Sequence, residues 1–299
     1  MSTDAGSPAA RDEVPLPSEL WYRHVARLQR ESYSTLVGAY ERDEQRRVAW
    51  AEHWLRPVLP YVGRAGRPRS AVRVLDLGSG IGHFSEYFAV RGFDVHALDL
   101  ARDMADRTRR RLRPVYGTET DQRVTWADFM DHDFGQARFD LILGVAFLHC
   151  IPRPVDVLAA RKIAGLLAAD GVAYLTTTAE QRSEGGFALK DAIRGEPQGV
   201  LVQRYRTRYT PPQFIETIRA GGLVPWTVPP GGRPVELDAS SPPGVLPIVP
   251  DTHVRGKRWV DVVATRHGVR LPEVGPVAQA VRQSPPQTHP APGVPVPVG

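Results

Sequence analysis

A glycine-rich turn directly after a short apolar segment limits the fold of this chain more than any other feature. Residues 72–77, VRVLDL, are apolar and β-branched enough to predict a buried strand. The loop 78–82, GSGIG, follows, and a helix is predicted from about residue 82 to residue 90. A glycine turn from a strand into a helix brings backbone N–H groups close to a ligand, so the sequence predicts a cofactor-binding turn.

The segments after this turn alternate between strand and helix patterns. Helices are predicted at 103–113, ended by Pro114, and at 155–168. Further strands are predicted at 93–98, 123–126, 139–144 and 171–177. Strands separated by helices in this rhythm form a mostly parallel sheet that is covered on both faces. The expected fold class is therefore α/β, with a doubly wound sheet.

The ends of the chain differ in character from this central part. Residues 1–17 and the proline-rich residues 270–299 lack apolar periodicity, so we predict a disordered leader and a disordered tail. Residues 18–60 have apolar residues at three- and four-residue steps and predict an N-terminal helical cap, with Ser18 as its N-cap. The catalytic domain is expected at 70–267.

The second half of that domain is less regular. Two insertions are predicted, at 179–208, which is hard to assign, and at the proline-rich 229–257. Thr210, as an N-cap before two prolines, begins a helix through residue 218. Strands are expected at 223–228 and at 259–264, the latter a terminal antiparallel strand.

Composition restricts the partners and the compartment. The chain carries a formal charge of +5, and its densest basic cluster, at 107–113, has the pattern of a solvated helix face, so nucleic acid is possible but not favoured. No run of about 18 apolar residues is present, so no membrane span is expected. A single cysteine, Cys150, excludes an internal disulfide, and we expect a cytoplasmic protein. No metal is expected.

Two cofactors are commonly bound by such a glycine turn, a dinucleotide and S-adenosylmethionine (SAM). The dinucleotide fingerprint is G-x-G-x-x-G, whereas the third glycine here, Gly82, comes one residue early. Asp76 stands at the end of the strand, where its carboxylate would repel a pyrophosphate and would suit a ligand with an amino group. Both features argue against NAD.

The stretch VRVLDLGSGIGHFSEYFAVRGFDVHALDLARDM resembles the opening of the Rossmann-like class I SAM-dependent methyltransferases. The likeness continues through WADF at 126–129, FDLILGVAFLHCI at 139–151, LLAADGVAYLTT at 166–177, YTPPQFIETIRAGGL at 209–223 and RWVDVVATR at 258–266. The resemblance implies a seven-stranded sheet with a terminal antiparallel strand, and SAM as cofactor.

The resemblance also implies roles for individual residues. Asp76, with Gly78, Gly80 and Gly82, would hold the methionine end of SAM, and Asp99 would accept the two ribose hydroxyls. A carboxylate can take two hydrogen bonds from a cis-diol, which agrees with that role. The remaining cofactor contacts implied are Leu100 and Met104 beside the adenine, Asp128 and Phe129 at its amino group, and Gly144 and Val145 near the sulfonium.

Methyl transfer from a sulfonium is an in-line displacement, so the enzyme must align the nucleophile and exclude water. A hydroxyl nucleophile also needs a base, and His149, at the carboxyl edge of the sheet, is the candidate. The cap supplies four candidate substrate contacts, Trp21, Tyr22, Tyr33 and Tyr40. Arg204, Arg206 and Arg208 could contact an anionic substrate or an RNA backbone, or could lie on a solvated strand.

Three functions remain open at this point. The first is transfer of a methyl group to a nitrogen or oxygen atom of a small molecule, in bacterial specialised metabolism. The second is methylation of tRNA or protein, which predicts a contiguous basic surface at the pocket mouth. The third is a non-catalytic SAM-binding regulator. The acceptor atom and the oligomeric state stay open.

Overall fold

Five parallel strands form the centre of the sheet, as the alternation of strands and helices predicts. The computed structural model describes residues 17–42, 51, 54–62, 67–182, 184–191, 201–229, 232–241, 248–250 and 258–273. The parallel strands are β1 (Arg73–Leu77), β2 (Asp94–Asp99), β3 (Val124–Trp126), β4 (Phe139–Val145) and β5 (Leu167–Thr178).

Later strands complete the sheet. The hairpin strands β6 (Glu184–Asp191) and β7 (Leu201–Arg208) form a separate two-stranded sheet, and the main sheet adds β8 (Leu223–Thr227), β9 (Val235–Glu236), β10 (Ile248–Pro250) and β11 (Arg258–Arg266). The main sheet has the order β3-β2-β1-β4-β5-β11-β8-β9, and β10 pairs with β11. β11 runs antiparallel to both β5 and β8. The predicted mostly parallel sheet with a terminal antiparallel strand is confirmed, with the two short strands β9 and β10 in addition.

Helices cover both faces of this sheet, so the doubly wound prediction is confirmed. Besides the N-terminal helix α1 (Pro17–Arg42), they are α2 (His83–Ala89), α3 (Arg102–Tyr116), α4 (Thr120–Arg123), α5 (Val155–Leu166) and α6 (Pro211–Ala220). One apolar core joins the sheet to α5 and α6 through Ile163 and Phe214. The other joins it to α2 and α3 through Phe88 and Leu112. Burial of apolar surface on both faces is the main stabilising contribution.

The order of the strands reverses at β1, which lies between β2 and β4. In open α/β sheets, the crevice at the carboxyl ends of the strands on either side of such a switch point is where ligands bind. Two elements outside the central fold lie at this edge. α1 packs against β7 and α3, and β7 contacts the short helical turn Leu148–Cys150 that follows β4.

Several local predictions need correction. α3 continues through Pro114 to Tyr116. The proline lies in the last turn, so its missing N–H and the clash of its ring disturb only the end of the helix. Ser18 is not the N-cap of α1, since the helix already includes Pro17. Thr210 does cap α6, in a reciprocal capping box with Gln213.

Some predictions fall partly outside the described residues. The predicted leader lies outside the described residues except for residue 17, and the predicted tail lies outside them from residue 274 onward. Among the helices that are described, none is long and apolar enough to cross a bilayer.

Candidate functional site

The glycine loop has a backbone conformation that only glycine adopts easily. Gly78, Gly80 and Gly82 have φ angles of 65°, 58° and 85°. The backbone N–H groups of Gly78 and Ser79 donate to the carbonyl of Leu98, at 2.8 Å and 3.2 Å, which ties the loop to the end of β2. A Cβ built on Gly80 meets no atom within 4 Å, so the loop faces open space there.

Asp76 lies at the end of β1, just below the loop. Its side chain is 2% exposed and accepts a hydrogen bond from the Ser85 hydroxyl at 2.6 Å. Burial raises the pKa of Asp76 to about 6, although the hydrogen bonds from Ser85 act in the opposite direction. A cationic amino group near this carboxylate would favour its charged form.

Asp99 ends β2, on the other side of the loop. Its two carboxylate oxygens accept the N–H groups of Gly80 and Ala101, each at 2.8 Å. Burial raises the pKa of Asp99 to about 7; the bonds from Ala101 and Gly80 oppose this rise, and the charge of Asp76 adds to it. Each carboxylate oxygen can accept more than one hydrogen bond, so a ribose diol can still be bound.

The predicted adenine contacts follow β2 and β3. Asp128 is 9% exposed, and its Oδ1 accepts both the Tyr22 hydroxyl and the Met130 N–H. Oδ2 therefore remains available to an exocyclic amine. Met104 is buried in a cluster with Ile81 and the cap residues Leu36 and Val37, whereas Leu100 is only partly buried.

The turn after β4 brings an aromatic ring to the loop. Ala146 has a left-handed φ of 57°, rare for a residue with a Cβ, and its N–H donates to the Thr176 hydroxyl at 3.0 Å. Phe147 follows, and a Cβ built on Gly78 would lie 3.1 Å from its Cδ2 atom. Its ring also meets Phe129 edge-on, with centroids 5.4 Å apart. Phe147 therefore lies between the loop and the predicted adenine side.

Gly144 and Val145, the predicted neighbours of the sulfonium, end β4 immediately before this turn. Gly144 is buried, and a Cβ built there would lie 2.7 Å from the Leu175 side chain. Close packing between β4 and β5 therefore accounts for this glycine without a ligand. Val145 is partly buried.

The cap places three of the four predicted substrate residues at this edge. Tyr22 binds Asp128, and both burial and that carboxylate raise the Tyr22 pKa. The Tyr33 hydroxyl lies 3.2 Å from the Cys150 sulfur, and Tyr40 packs on the Met104 cluster. Trp21 is 40% exposed and meets Tyr205 at a centroid distance of 6.0 Å, so it lies at the rim.

His149 is completely buried, which the sequence did not indicate. Its Nδ1 lies 3.3 Å from the Thr177 hydroxyl, and its Nε2 is in contact with the Arg206 guanidinium. An arginine only donates, so Nε2 is the acceptor in this pair. The nitrogen lone pair that a base would use is therefore directed at Arg206, and the arrangement does not favour His149 as the base.

These groups fit SAM by their chemistry. Three acidic side chains lie at the carboxyl ends of β1 and β2 and just after β3, as an amino group, a diol and an exocyclic amine would require. Asp76, Asp99 and Asp128 would hold these groups, and the open space at Gly80 leaves room beside the loop. Further residues, which motif reasoning did not single out, support the site: Ser85, Thr108, Ala146 and Phe147. Thr108 is linked to the loop through the Gly80 carbonyl at 2.9 Å.

Known proteins resemble this chain in sequence and in fold. The family model described as a methyltransferase domain matches residues 74–171. A ubiquinone biosynthesis O-methyltransferase of Xanthomonas axonopodis pv. citri is 31% identical over 179 residues, which are 57% of this chain and 70% of that protein. One of Actinobacillus pleuropneumoniae is 28% identical over 128 residues, 42% of this chain and 54% of that protein. The solved structure of a DhpI–SAH complex aligns with a TM-score of 0.53 at 14% identity, over 82% of this chain and 98% of that one, which shows a common fold.

Proposed function

Since this chain belongs to the class I SAM-dependent methyltransferases and is an enzyme of that class, we propose that it methylates an oxygen or nitrogen atom of a small molecule. The matched relatives are named O-methyltransferases, which favours oxygen. The helical cap and the added hairpin around a single catalytic domain favour a role in specialised metabolism, such as antibiotic biosynthesis, and the arginine-rich, lysine-poor composition resembles that of a high-GC bacterium.

The carboxyl edge of the sheet, where Asp76, Asp99 and Asp128 lie, is called the cofactor edge. The observation that carries the proposal is that the cap and the β6–β7 hairpin meet over this edge. The Gln29 amide of α1 donates to the Cys150 carbonyl at 3.3 Å and to the Tyr205 carbonyl at 3.0 Å. One buried side chain thus links the cap, the turn after β4 and the hairpin. An edge covered in this way suits a small acceptor better than a folded macromolecule.

The mechanism divides between these elements. When bound, SAM supplies an electrophilic methyl group on a sulfonium. Asp76, Asp99 and Asp128 orient the cofactor, while α1 and the hairpin exclude water and align the acceptor for in-line attack. Because the Nε2 lone pair of His149 is directed at the Arg206 guanidinium, we propose that His149 positions this arginine. His149 then does not take up the proton of the methyl acceptor.

The test uses the full chain and SAM with a radiolabelled methyl group. A bacterial extract is separated into small molecules, RNA and protein, and label is counted in each fraction after incubation. We expect label among the small molecules, and much less label when Asp99→Ala replaces the wild-type chain at limiting SAM. Label confined to RNA or to protein would contradict the proposal and would support the macromolecular alternative.

A further inference from the structure

Two arginines of β7 point from the hairpin toward the cap. Arg204 and Arg206 are two residues apart on the strand, so their side chains lie on the same face of the hairpin. Arg204 is 5% exposed, and its guanidinium carbon lies 5.7 Å from the centre of the Tyr33 ring. The Arg206 guanidinium contacts His149, at the turn after β4.

Neither arginine has an acidic partner in the part of the chain that the structure describes. No carboxylate there lies within 4.0 Å of either guanidinium, whereas many arginines elsewhere pair with an aspartate or a glutamate. The Nε atom of Arg204 is buried and has no hydrogen-bond partner. Burying a charge without a counter-charge is costly, so a buried Arg204 beside a partly buried Arg206 on the same face needs an explanation.

The surroundings keep Arg206 charged. Burial lowers its pKa, but Tyr33, Cys150, Tyr40 and Glu180 outweigh this effect, and the pKa is raised above the ordinary arginine value. Arg206 therefore remains a cation at every physiological pH. Of these groups only Glu180 is a carboxylate and charged at neutral pH, where tyrosine and cysteine side chains are uncharged, and it does not lie within 4.0 Å of the Arg206 guanidinium.

The two arginines also lie close to the cofactor edge. Tyr33, whose ring lies 5.7 Å from the Arg204 guanidinium carbon, and Tyr40 pack on the cluster that contains Ile81 of the glycine loop and Met104. An anion bound by the arginines would therefore be held beside the cofactor, under the cap and among aromatic side chains.

We propose that Arg204 and Arg206 form a subsite for an anionic oxygen group, a carboxylate or a phosphate, of the methyl acceptor. This inference rests on the proposed function and specifies its substrate class. The planar guanidinium fork matches the geometry of both anions, and the buried Nε of Arg204 is a donor ready for one of their oxygens. The aromatic residues Tyr33 and Tyr40 would contact the uncharged part of the same molecule.

The first experiment tests the charge of the acceptor. The small-molecule extract is passed over an anion exchanger before incubation with the wild-type enzyme and labelled SAM. We expect label only with the fraction that bound to the exchanger, and treatment of this fraction with phosphatase distinguishes a phosphate monoester, which is lost, from a carboxylate. Label only with the unbound fraction would overturn the subsite and leave the proposed function intact. No small-molecule label in either fraction would instead contradict the proposed function.

The second experiment tests the residues. Arg204→Met and Arg206→Met should each raise the amount of anionic fraction needed for half-maximal labelling by about tenfold or more, because each removes charged hydrogen bonds. Arg161→Met, which removes an exposed arginine of α5, serves as the matched control. An unchanged requirement in both variants would overturn the subsite.

A folding defect is separated from this effect by calorimetric binding of SAM to each variant. If a methionine variant fails to bind SAM, Arg206→Lys decides, since it keeps the charge and loses the fork. For Arg206→Lys, the subsite predicts that the amount of anionic fraction needed for half-maximal labelling lies between the wild-type amount and the tenfold higher amount expected for a methionine variant. An amount equal to that of the wild type would contradict the subsite.

Discussion

The cofactor region, residues 76–145, and the acceptor region, which consists of α1 and the β6–β7 hairpin, are held together by different kinds of contact. In the cofactor region, Ser85 binds Asp76 across 9 residues and Gly80 binds Asp99 across 19. In the acceptor region, Gln29 binds the Tyr205 carbonyl across 176 residues. Short-range contacts of the first kind leave a pattern in the sequence, and long-range contacts of the second kind do not.

The two kinds of contact restrict the amino acids of the two regions to different degrees. The cofactor region depends on the backbone conformation of the loop glycines and on acids at strand ends, so a substitution at one of these positions disturbs the site directly. The acceptor region needs only surfaces that meet each other, and many side chains can satisfy that requirement. The following predictions test whether the two regions are as separate in function as they are in their contacts.

The largest effect is expected in the cofactor region. Asp99→Ala should weaken SAM binding by roughly 1.5–3 kcal/mol, because the ribose loses hydrogen bonds to a charged group and the loop loses its bond from Gly80. Isothermal titration calorimetry measures the affinity, with Asp103→Ala, an exposed acid of α3, as the control. An affinity equal to that of the control would refute the role of Asp99.

A second effect in the same region depends on pH. Asp99 has a raised pKa of about 7 in the free protein, and ribose hydroxyls donate to its ionised form, so binding lowers this pKa and releases a proton. Affinity is therefore highest above this pKa and falls as the pH drops through it. We expect roughly tenfold weaker binding at about pH 6 than at about pH 8, relative to Asp99→Asn in the same buffers.

Comparison with Asp99→Asn removes the titration of the ligand itself. Asp76, whose pKa is raised to about 6, titrates lower and remains in both proteins. If the wild type and the variant show the same pH dependence, Asp99 does not change its protonation on binding.

The acceptor region is tested at His149. His149→Leu removes the ring nitrogen that accepts the hydrogen bond from Arg206. The KM for the methyl-accepting substrate should therefore rise about tenfold, while kcat stays within about threefold of the wild type. His149→Gln keeps an acceptor group and should recover most of the loss. A fall in kcat of about a hundredfold or more at unchanged KM would show instead that His149 is the base.

The smallest effect is expected where the two regions meet. Tyr22→Phe removes the hydroxyl that α1 donates to Asp128, which keeps its bond from the Met130 N–H. The free energy of unfolding, measured by urea denaturation, should fall by about 1 kcal/mol. SAM affinity should change less than about threefold, since Oδ2 of Asp128 is untouched. A larger loss of affinity would mean that the cap is part of the cofactor site.

Sequence reasoning reached the main features of the cofactor region because local rules determine them. The glycine loop and the acids at the ends of β1 and β2 depend on neighbours within a few residues or on one adjacent strand. The same holds outside this region for the Thr210 capping box. Pro114 shows the limit of such rules. Whether a proline ends a helix depends on how far the helix continues beyond it, and the sequence near Pro114 does not show where α3 ends.

The acceptor region could not be predicted in the same way. The hairpin strands lie in a stretch that is polar and irregular in sequence. They are ordered by their pairing with each other and by the packing of β7 against α1 and against the turn Leu148–Cys150. The place of His149 after β4 predicts a catalytic base, but its partner Arg206 lies 57 residues away. No spacing in the sequence indicates that contact.

The separation of the two regions is tested most directly by calorimetric titration of SAM into the double variant Arg204→Met/Arg206→Met. The account predicts an affinity within about twofold of the wild type, because neither arginine contacts the residues assigned to the cofactor. A loss as large as that caused by Asp99→Ala would contradict it, and would place the hairpin in the cofactor site.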